Sequence, residues 1–444
     1  MIFLIRLRGQ ACVFKGEITA FLALVFLLIL SIVAALMESA SLYVRKHDYR
    51  MRMSVALESV FAEYDREILE RYELFAYTGA TSLVLQNRLE FYGVGDLSNA
   101  VEQIEYLTDH SGRAFYEQAV RYAKNWIGLD EVMLGVEYEF SANEDVDTEE
   151  KGVLASIRDF LEEEEKELPK ANNPIQSVQL LKTMGLLSLV APQQEQLSNQ
   201  TVALKGLPSH RSLNRGNYKR DSAVGTLDKA FFVAYAAEQF AHYQKEKEDT
   251  FLSYECEYLI GGKKSDRENL EVVCRRILQI RMLANYGYLL TDETRKAEAE
   301  LMAGTLCAIA GVPQLTGLVK HAILLAWAYG ESIVDVRVLL KGNKNPFLKT
   351  SETWQLQLAN LVNLGTPKEI SGEKDEGNGL SYQDYLYGLL LLEKNETLSM
   401  RSLDLVESNL HIQTDQCMTK VKVKSSYTLW QGVEDQFITS FTYQ

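Results

Sequence analysis

Residues 18–37 read ITAFLALVFLLILSIVAALM, and residues 53–75 read MSVALESVFAEYDREILERYELF. The first stretch is twenty residues without a charge, bracketed by Glu17 and Glu38. At about 1.5 Å per residue a helix of that length spans roughly 30 Å, the hydrocarbon thickness of a bilayer. Thirteen of the twenty are Leu, Ile, Val or Phe, which at about -0.3 to -0.6 kcal/mol each favours insertion by on the order of 4 to 8 kcal/mol. Thr19 and Ser31 can return their hydroxyls to the helix backbone. Val33-Ala34-Ala35 resembles a signal-peptidase site, but the apolar core exceeds the roughly 7–15 residues of a signal sequence. No polar stripe interrupts the run, as it would in a soluble core helix. The reading is one transmembrane helix near the N-terminus.

The second stretch is amphipathic. Met53, Leu57, Val60, Phe61, Tyr64, Ile68, Tyr72 and Phe75 recur at threes and fours, which is one face of a helix. Glu63, Arg66, Glu67, Glu70 and Arg71 fall on the other side, with Glu67 and Arg71 four apart in the favourable order. A stalk helix over 38–78 is predicted, continuous with the span. Its apolar stripe needs a cover, and Leu57, Phe61, Tyr64 and Ile68 are the candidate assembly face.

Outward from there, 444 residues with 47% apolar and 24% charged side chains make a folded body. The organisation expected is a short cytoplasmic tail over 1–17, the span over 18–37 and the stalk over 38–78. A first part of the body follows over 79–190. Residues 191–225, rich in Gln, Ser, Asn, Gly and Arg and without periodicity, read as a loop or linker. A mainly helical second part with C-terminal strands occupies 226–444. Helices are expected at 97–127, near 151–168, from Leu227, and at about 265–290, 293–310, 314–329, 330–341, 381–394 and 396–411. Strands are expected at 131–140, at FLSYECEYLI (251–260) and through the alternating C-terminal segment. The class is α+β, dominated by helices.

Charge excludes one class of partner. Residues 1–52 carry a net +4, leaving -19 of the total -15 for the rest. An acidic body repels phosphate backbones, so nucleic-acid binding is not expected. The basic residues bracket the apolar run on both sides, so counting them does not orient the span. A short N-terminal tail and a large C-terminal body are consistent with a body outside the cytoplasm.

Catalytic motifs are missing or weak. The six histidines are isolated, with no pair at the i, i+3 or i+4 spacing of a zinc or di-iron helix. The five cysteines form no CxxC and read as isolated thiols. GNKNPFLKT (342–350) has the wrong glycine spacing for a phosphate loop. Ser371 and Lys374 match S-x-x-K within a Gly-rich loop, where a solvated loop is the better reading. NEDVDTEE (143–150) lacks the glycine and spacing of a calcium loop. Trp327, Glu331 and Asp335 stand at i, i+4, i+8. They could be a carboxylate pair for acid–base chemistry, but a face whose acids meet Arg337 or Lys341 is favoured. No catalytic, cofactor-binding or metal-ligating residue is assigned, and no cofactor is expected.

Several blocks carry a resemblance. GEITAFLALVFLLILSIVAALMES, SVFAEYDREILERYELFAY, YECEYLIGGKKSDRENLEVVCRRILQIRMLANYGYL, WAYGESIVDVRVLLKG and LSYQDYLYGLLLLEKNETLSMRSLDLVESNL resemble a family of unknown function among Gram-positive membrane proteins, typically encoded beside tight-adherence (Tad) pilus genes. RGQA at 8–11, the span and LYVRKH at 42–47 are similar to the TadE and TadG pseudopilins. The resemblance implies a membrane-anchored, non-enzymatic accessory or minor component of a Tad-type pilus system, with pilus or secretion-system proteins as partners. It also places a prepilin-peptidase-like cut between Gly16 and Glu17, although type IV pilins carry their glutamate at the fifth position after the cut, here Phe21. The rival readings are a membrane-anchored ligand-binding or sensor domain and a cell-envelope hydrolase.

Overall fold

The computed structural model describes residues 3–79, 81–127, 168–169, 173–191, 194–220, 227–363, 377–428, 432 and 434–443, with side chains from Ile18 onward. The strand expected at 131–140, the acidic loop 143–150, the helix near 151–168 up to Glu167, and Ser371 and Lys374 lie outside these residues. The fold is α+β and helix-dominated, with one three-stranded sheet among the described residues. The chain divides into two compact units, each built from segments distant in sequence.

Unit 1 comprises Met1–Tyr64, Gly79–Glu105 and Met418–Gln444. Its axis is α1 (Phe3–Phe61), 59 residues and therefore about 88 Å long. From Ile18 to Met37 its side chains are almost all exposed, and Ser31 Oγ donates to the Leu28 carbonyl at 2.7 Å. Farther along, Met53, Ala56, Leu57, Val60 and Phe61 are buried. Their cover is shared between α3 (Ser82–Leu89) with the turn after it and the hairpin of β2 (Met418–Thr428) and β3 (Glu434–Thr442), paired antiparallel from Lys420↔Thr442 to Thr428↔Glu434. Phe61 stacks on Phe441 at 4.3 Å, and the Tyr443 hydroxyl donates to the Phe61 carbonyl at 2.6 Å. Farther back toward Met37, Tyr49 meets Tyr427 at 4.4 Å and Lys46 pairs with Asp435 at 2.8 Å. On another side, α3 and the turn after it are held by Arg52–Asp96 at 2.7 Å and by the Tyr92 hydroxyl on Glu63 at 2.7 Å.

The stalk helix does not run to residue 78. It stops at Phe61 because Asp65 offers the backbone an alternative: its carboxylate accepts the amides of Glu67 and Ile68 and caps a new helix, α2 (Arg66–Tyr72). The expected assembly face is accordingly split. Leu57 and Phe61 are buried within unit 1, Phe61 against the chain's own hairpin, Tyr64 is half-buried at the break, and Ile68 is buried in unit 2.

Unit 2 comprises Asp65–Thr78 and Tyr106–Cys417. It contains α2, α4 (Asp109–Ile127), α5 (Pro174–Thr183), α6 (Leu186–Val190), α7 (Asp228–Gln239), α8 (Glu255–Gly261), α9 (Asp266–Thr291), α10 (Glu293–Ala310), α11 (Thr316–Leu340), α12 (Tyr382–Leu392) and α13 (Asn395–Leu410). Helix starts carry legible caps: Ser265 accepts from the Glu268 amide, Asp292 from Arg295, and Ser381 with Asp384 forms a capping box. α11, buried over most of its surface, continues through Gly330 as one helix where two were expected. A mid-helix glycine costs only about 1 kcal/mol, and dense packing overrides it.

Two further expectations are corrected. Residues 98–106 form strand β1 beside β2, before α4 begins. Ser425 Oγ donates to Asn99 Oδ1 at 2.7 Å and Thr419 Oγ1 to the Glu105 carbonyl at 3.2 Å, so cross-strand pairing decides against local helix preference. FLSYECEYLI turns into α8, with two glutamates in its first turn and left-handed Gly262 ending it. All of Glu255 to Ile260 is buried, so the alternation carried no facial information. Residues 194–220 form a long strap inside unit 2. Ser209 binds Asp404, Arg211 binds Glu407 and Asp415, and the Gly216 amide binds Asp109.

The substitution Phe61→Asp removes the stack on Phe441 and buries a charge. Loss of a buried phenylalanine costs about 3–5 kcal/mol. Hydrogen exchange of the full-length protein should show faster exchange of the β2 and β3 amides, with α9 and α11 unchanged; unaltered hairpin protection would contradict the packing.

Candidate functional site

The three residues singled out on α11 do stand on one face, and all three act on the same segment. Trp327 Nε1 donates to the Leu356 carbonyl at 2.8 Å. Glu331 accepts the Gln355 and Leu356 amides at 3.1 and 2.7 Å and Lys349 Nζ at 2.9 Å. Asp335 accepts Asn345 Nδ2 at 2.6 Å, Lys349 Nζ at 2.8 Å and Asn285 Nδ2 at 2.8 Å. Arg281 of α9 completes the set, with Nε on Asp335 at 2.9 Å and Nη1 on the Pro346 and Phe347 carbonyls, both at 2.8 Å. Successive turns of one helix thus pin residues 345–356.

Both carboxylates and both cations are sealed: the side chains of Glu331, Asp335, Arg281 and Lys349 have 0% exposure. Burial would raise the Asp335 pKa, but Arg281 and Lys349 outweigh it and hold the group at about 2. Burial likewise opposes the Lys349 charge, and Asp335 and Glu331 restore and raise its pKa. Charges balance two against two, which a low-dielectric interior requires. The acids do meet cations, but not Arg337 or Lys341. Arg337 instead donates to the Leu189 carbonyl, and burial lowers its pKa to about 10. Lys349 lies in the stretch read only for glycine spacing, and Arg281 lies 54 positions from Asp335, beyond any local pattern.

A second acidic pair lies on α8. Glu255 accepts the Ala241 amide at 2.8 Å and Asn409 Nδ2 at 2.6 Å; Glu257 accepts the Tyr243 amide at 3.0 Å and the Tyr382 hydroxyl at 2.6 Å. Burial raises both pKa values to about 7. Between those two amides sits His242, whose pKa falls to about 4 through burial and the nearby Lys245. His242 Nε2 and Glu257 Oε2 are buried without a hydrogen-bond partner among the described residues. Cys256, Cys274, Cys307 and Cys417 are free and buried. The side chains of Gly16 and Glu17, within α1, lie outside those described.

Access to a ligand exists elsewhere. A cleft of about 480 Å³ opens between α5, α6, α9 and α11, floored by Ile175, Val178, Leu278, Ala322 and Ala326, with Lys182 and Arg275 at its rim. No motif marked it, because its lining is ordinary helix surface from four segments.

A family model described as a family of unknown function, DUF5702, matches residues 164–429. The chain belongs to that family. The matched residues of DUF5702 take in the α11 clamp, the α8 pair and the cleft. No curated protein and no solved structure matches the chain.

Lys349→Met leaves two buried carboxylates with one cation, and breaking a buried pair costs about 3–5 kcal/mol; the urea midpoint of the full-length protein in micelles should fall accordingly, and an unchanged midpoint would contradict the clamp. Glu255 and Glu257 bind protons more tightly folded than unfolded, so their contribution is full below about pH 4.5 and lost as pH rises through about 7, on the order of 3 kcal/mol each. The midpoint should therefore drop between pH 5 and pH 8, and Glu257→Gln should flatten that slope.

Proposed function

We propose that the chain is a non-enzymatic, membrane-anchored envelope protein with its body outside the cytoplasm, an accessory or minor component of a Gram-positive Tad-type pilus or adherence system. The observation that carries the anchoring is the contrast along α1: Ile18–Met37 stays exposed and apolar all round, whereas Met53–Phe61 is buried on one side. A twenty-residue surface of that kind is stable in lipid and not in water. The non-enzymatic part is supported by the use of the most enzyme-like acids, Glu331 and Asp335, as sealed partners of Lys349 and Arg281. The pilus association is supported by the sequence blocks resembling Tad-linked membrane proteins and by the pseudopilin-like N-terminus. A second reading, an anchored ligand-binding domain, is favoured by the cleft beside α5.

Full-length chain should stay in the membrane pellet through a carbonate wash. Protease added to wall-stripped cells should degrade the body and spare the tail, and pilus or secretion-system proteins should co-purify from detergent extracts. A body that resists protease until lysis would overturn the topology, and a carbonate-soluble chain would overturn the anchor.

A further inference from the structure

We propose that the cleft between α5, α6, α9 and α11 binds a free long-chain carboxylate, with its apolar chain on the floor and its anionic end at Lys182. The inference rests on the ligand-binding reading and is independent of any pilus association. The floor is apolar and buried, through Ile175, Val178, Leu278, Ala322 and Ala326. At about 480 Å³ the cleft falls within the roughly 300–1,000 Å³ of small-molecule sites. Its lining positions run from Glu271 to Met282 on α9, about 16 Å of helix, and from Ala322 to Tyr329 on α11, about 10 Å. An apolar floor of that length suits an alkyl chain lying along α9.

Charge selects the head group. Lys182 is exposed at the rim with its ammonium 5.6 Å from the centre of the Tyr329 ring, and among the described residues no carboxylate pairs with it. Arg275 is held by Glu271 at 2.7 Å, so these two cancel and Lys182 gives the rim its net positive sign. In a chain of net charge -15, a cationic rim over an apolar floor is complementary to an anionic amphiphile. The bilayer entered by α1 is where such amphiphiles concentrate.

The test uses full-length protein in zwitterionic nanodiscs and hexadecanoate carrying a photoactivatable diazirine, with adducts mapped by peptide mass spectrometry. Labelling is expected on peptides containing 175–186, 275–282 and 322–329. It should fall at least tenfold in Ala326→Trp, which fills the floor, and in Lys182→Glu, an exposed position where folding is not at stake. The same chain ending in an alcohol should label at least tenfold less. Adducts confined to peptides of residues 18–37, equal labelling by the alcohol, equal labelling by the same chain carried in phosphatidylcholine, or undiminished labelling of Lys182→Glu would each overturn the proposal. Should Ala326→Trp fail to fold, Lys182→Glu decides. Failure here leaves the carbonate and protease outcomes untouched, so the two readings fall separately.

Discussion

The buried exchange of charge among Arg281, Asp335, Lys349 and Glu331 is the constraint on which the rest of unit 2 depends. Desolvating four ions costs several kcal/mol apiece, and only near-ideal geometry returns it. Here each carboxylate also takes amide hydrogens, Glu331 from Gln355 and Leu356 and Asp335 from Asn285 and Asn345. That fixes two long helices, α9 and α11, in one register and draws residues 345–356 across them. The position of Leu356 then lets both Trp327 and Trp354 donate to its carbonyl, at 2.8 and 2.7 Å, with their rings perpendicular at 5.8 Å. Gly379 follows from the same approach: its φ of +118 belongs to glycine, and a Cβ there would come within 2.3 Å of the Asn345 backbone.

Elsewhere in unit 2 the same device recurs with carboxylates as the organising groups. Asp266 gathers the Ser253 and Tyr254 amides and the Ser198 hydroxyl; Asp404 gathers Ser209 and the Tyr258 hydroxyl; Asp415 gathers Arg211 and the Asn214 amide. Irregular backbone exposes donors that no helix satisfies, and an ionised acceptor binds them more strongly than a neutral one. The acidic composition is thus partly structural. The strap over 194–220, which lacks periodicity, is held in place by side-chain acceptors on distant helices.

What could be read from sequence follows this division. Periodicity located α7, α9, α10, α12 and α13, and the alternating C-terminus located β2 and β3, because those elements bury one face and leave the other more exposed. It misled where both faces are buried, as in α8, and where the pattern ran unbroken through a cap, as at Asp65. There the three-and-four spacing persists from Met53 to Tyr72, yet Phe61 serves the hairpin and Ile68 the core of unit 2. The acidic face of α11 was legible from spacing alone. Its cations were not, since Arg281 and Lys349 reach it from another helix and a loop. The cleft was illegible for the same reason, its lining being apolar and drawn from four helices.

The order of segments in unit 1 adds a consequence of its own. Phe61 waits for Phe441 and Tyr443, some 380 positions later, whereas every segment of unit 2 lies between Asp65 and Cys417. Contacts so distant carry a large closure entropy and form late. In chain order α1 precedes every segment of unit 2, and the strands that pack on its buried base follow all of them. Until then Met53, Leu57, Val60 and Phe61 stand uncovered on α1. The hairpin, together with α3 and the turn after it, leaves α1 with an exposed apolar run over Ile18–Met37 and a covered base over Met53–Phe61.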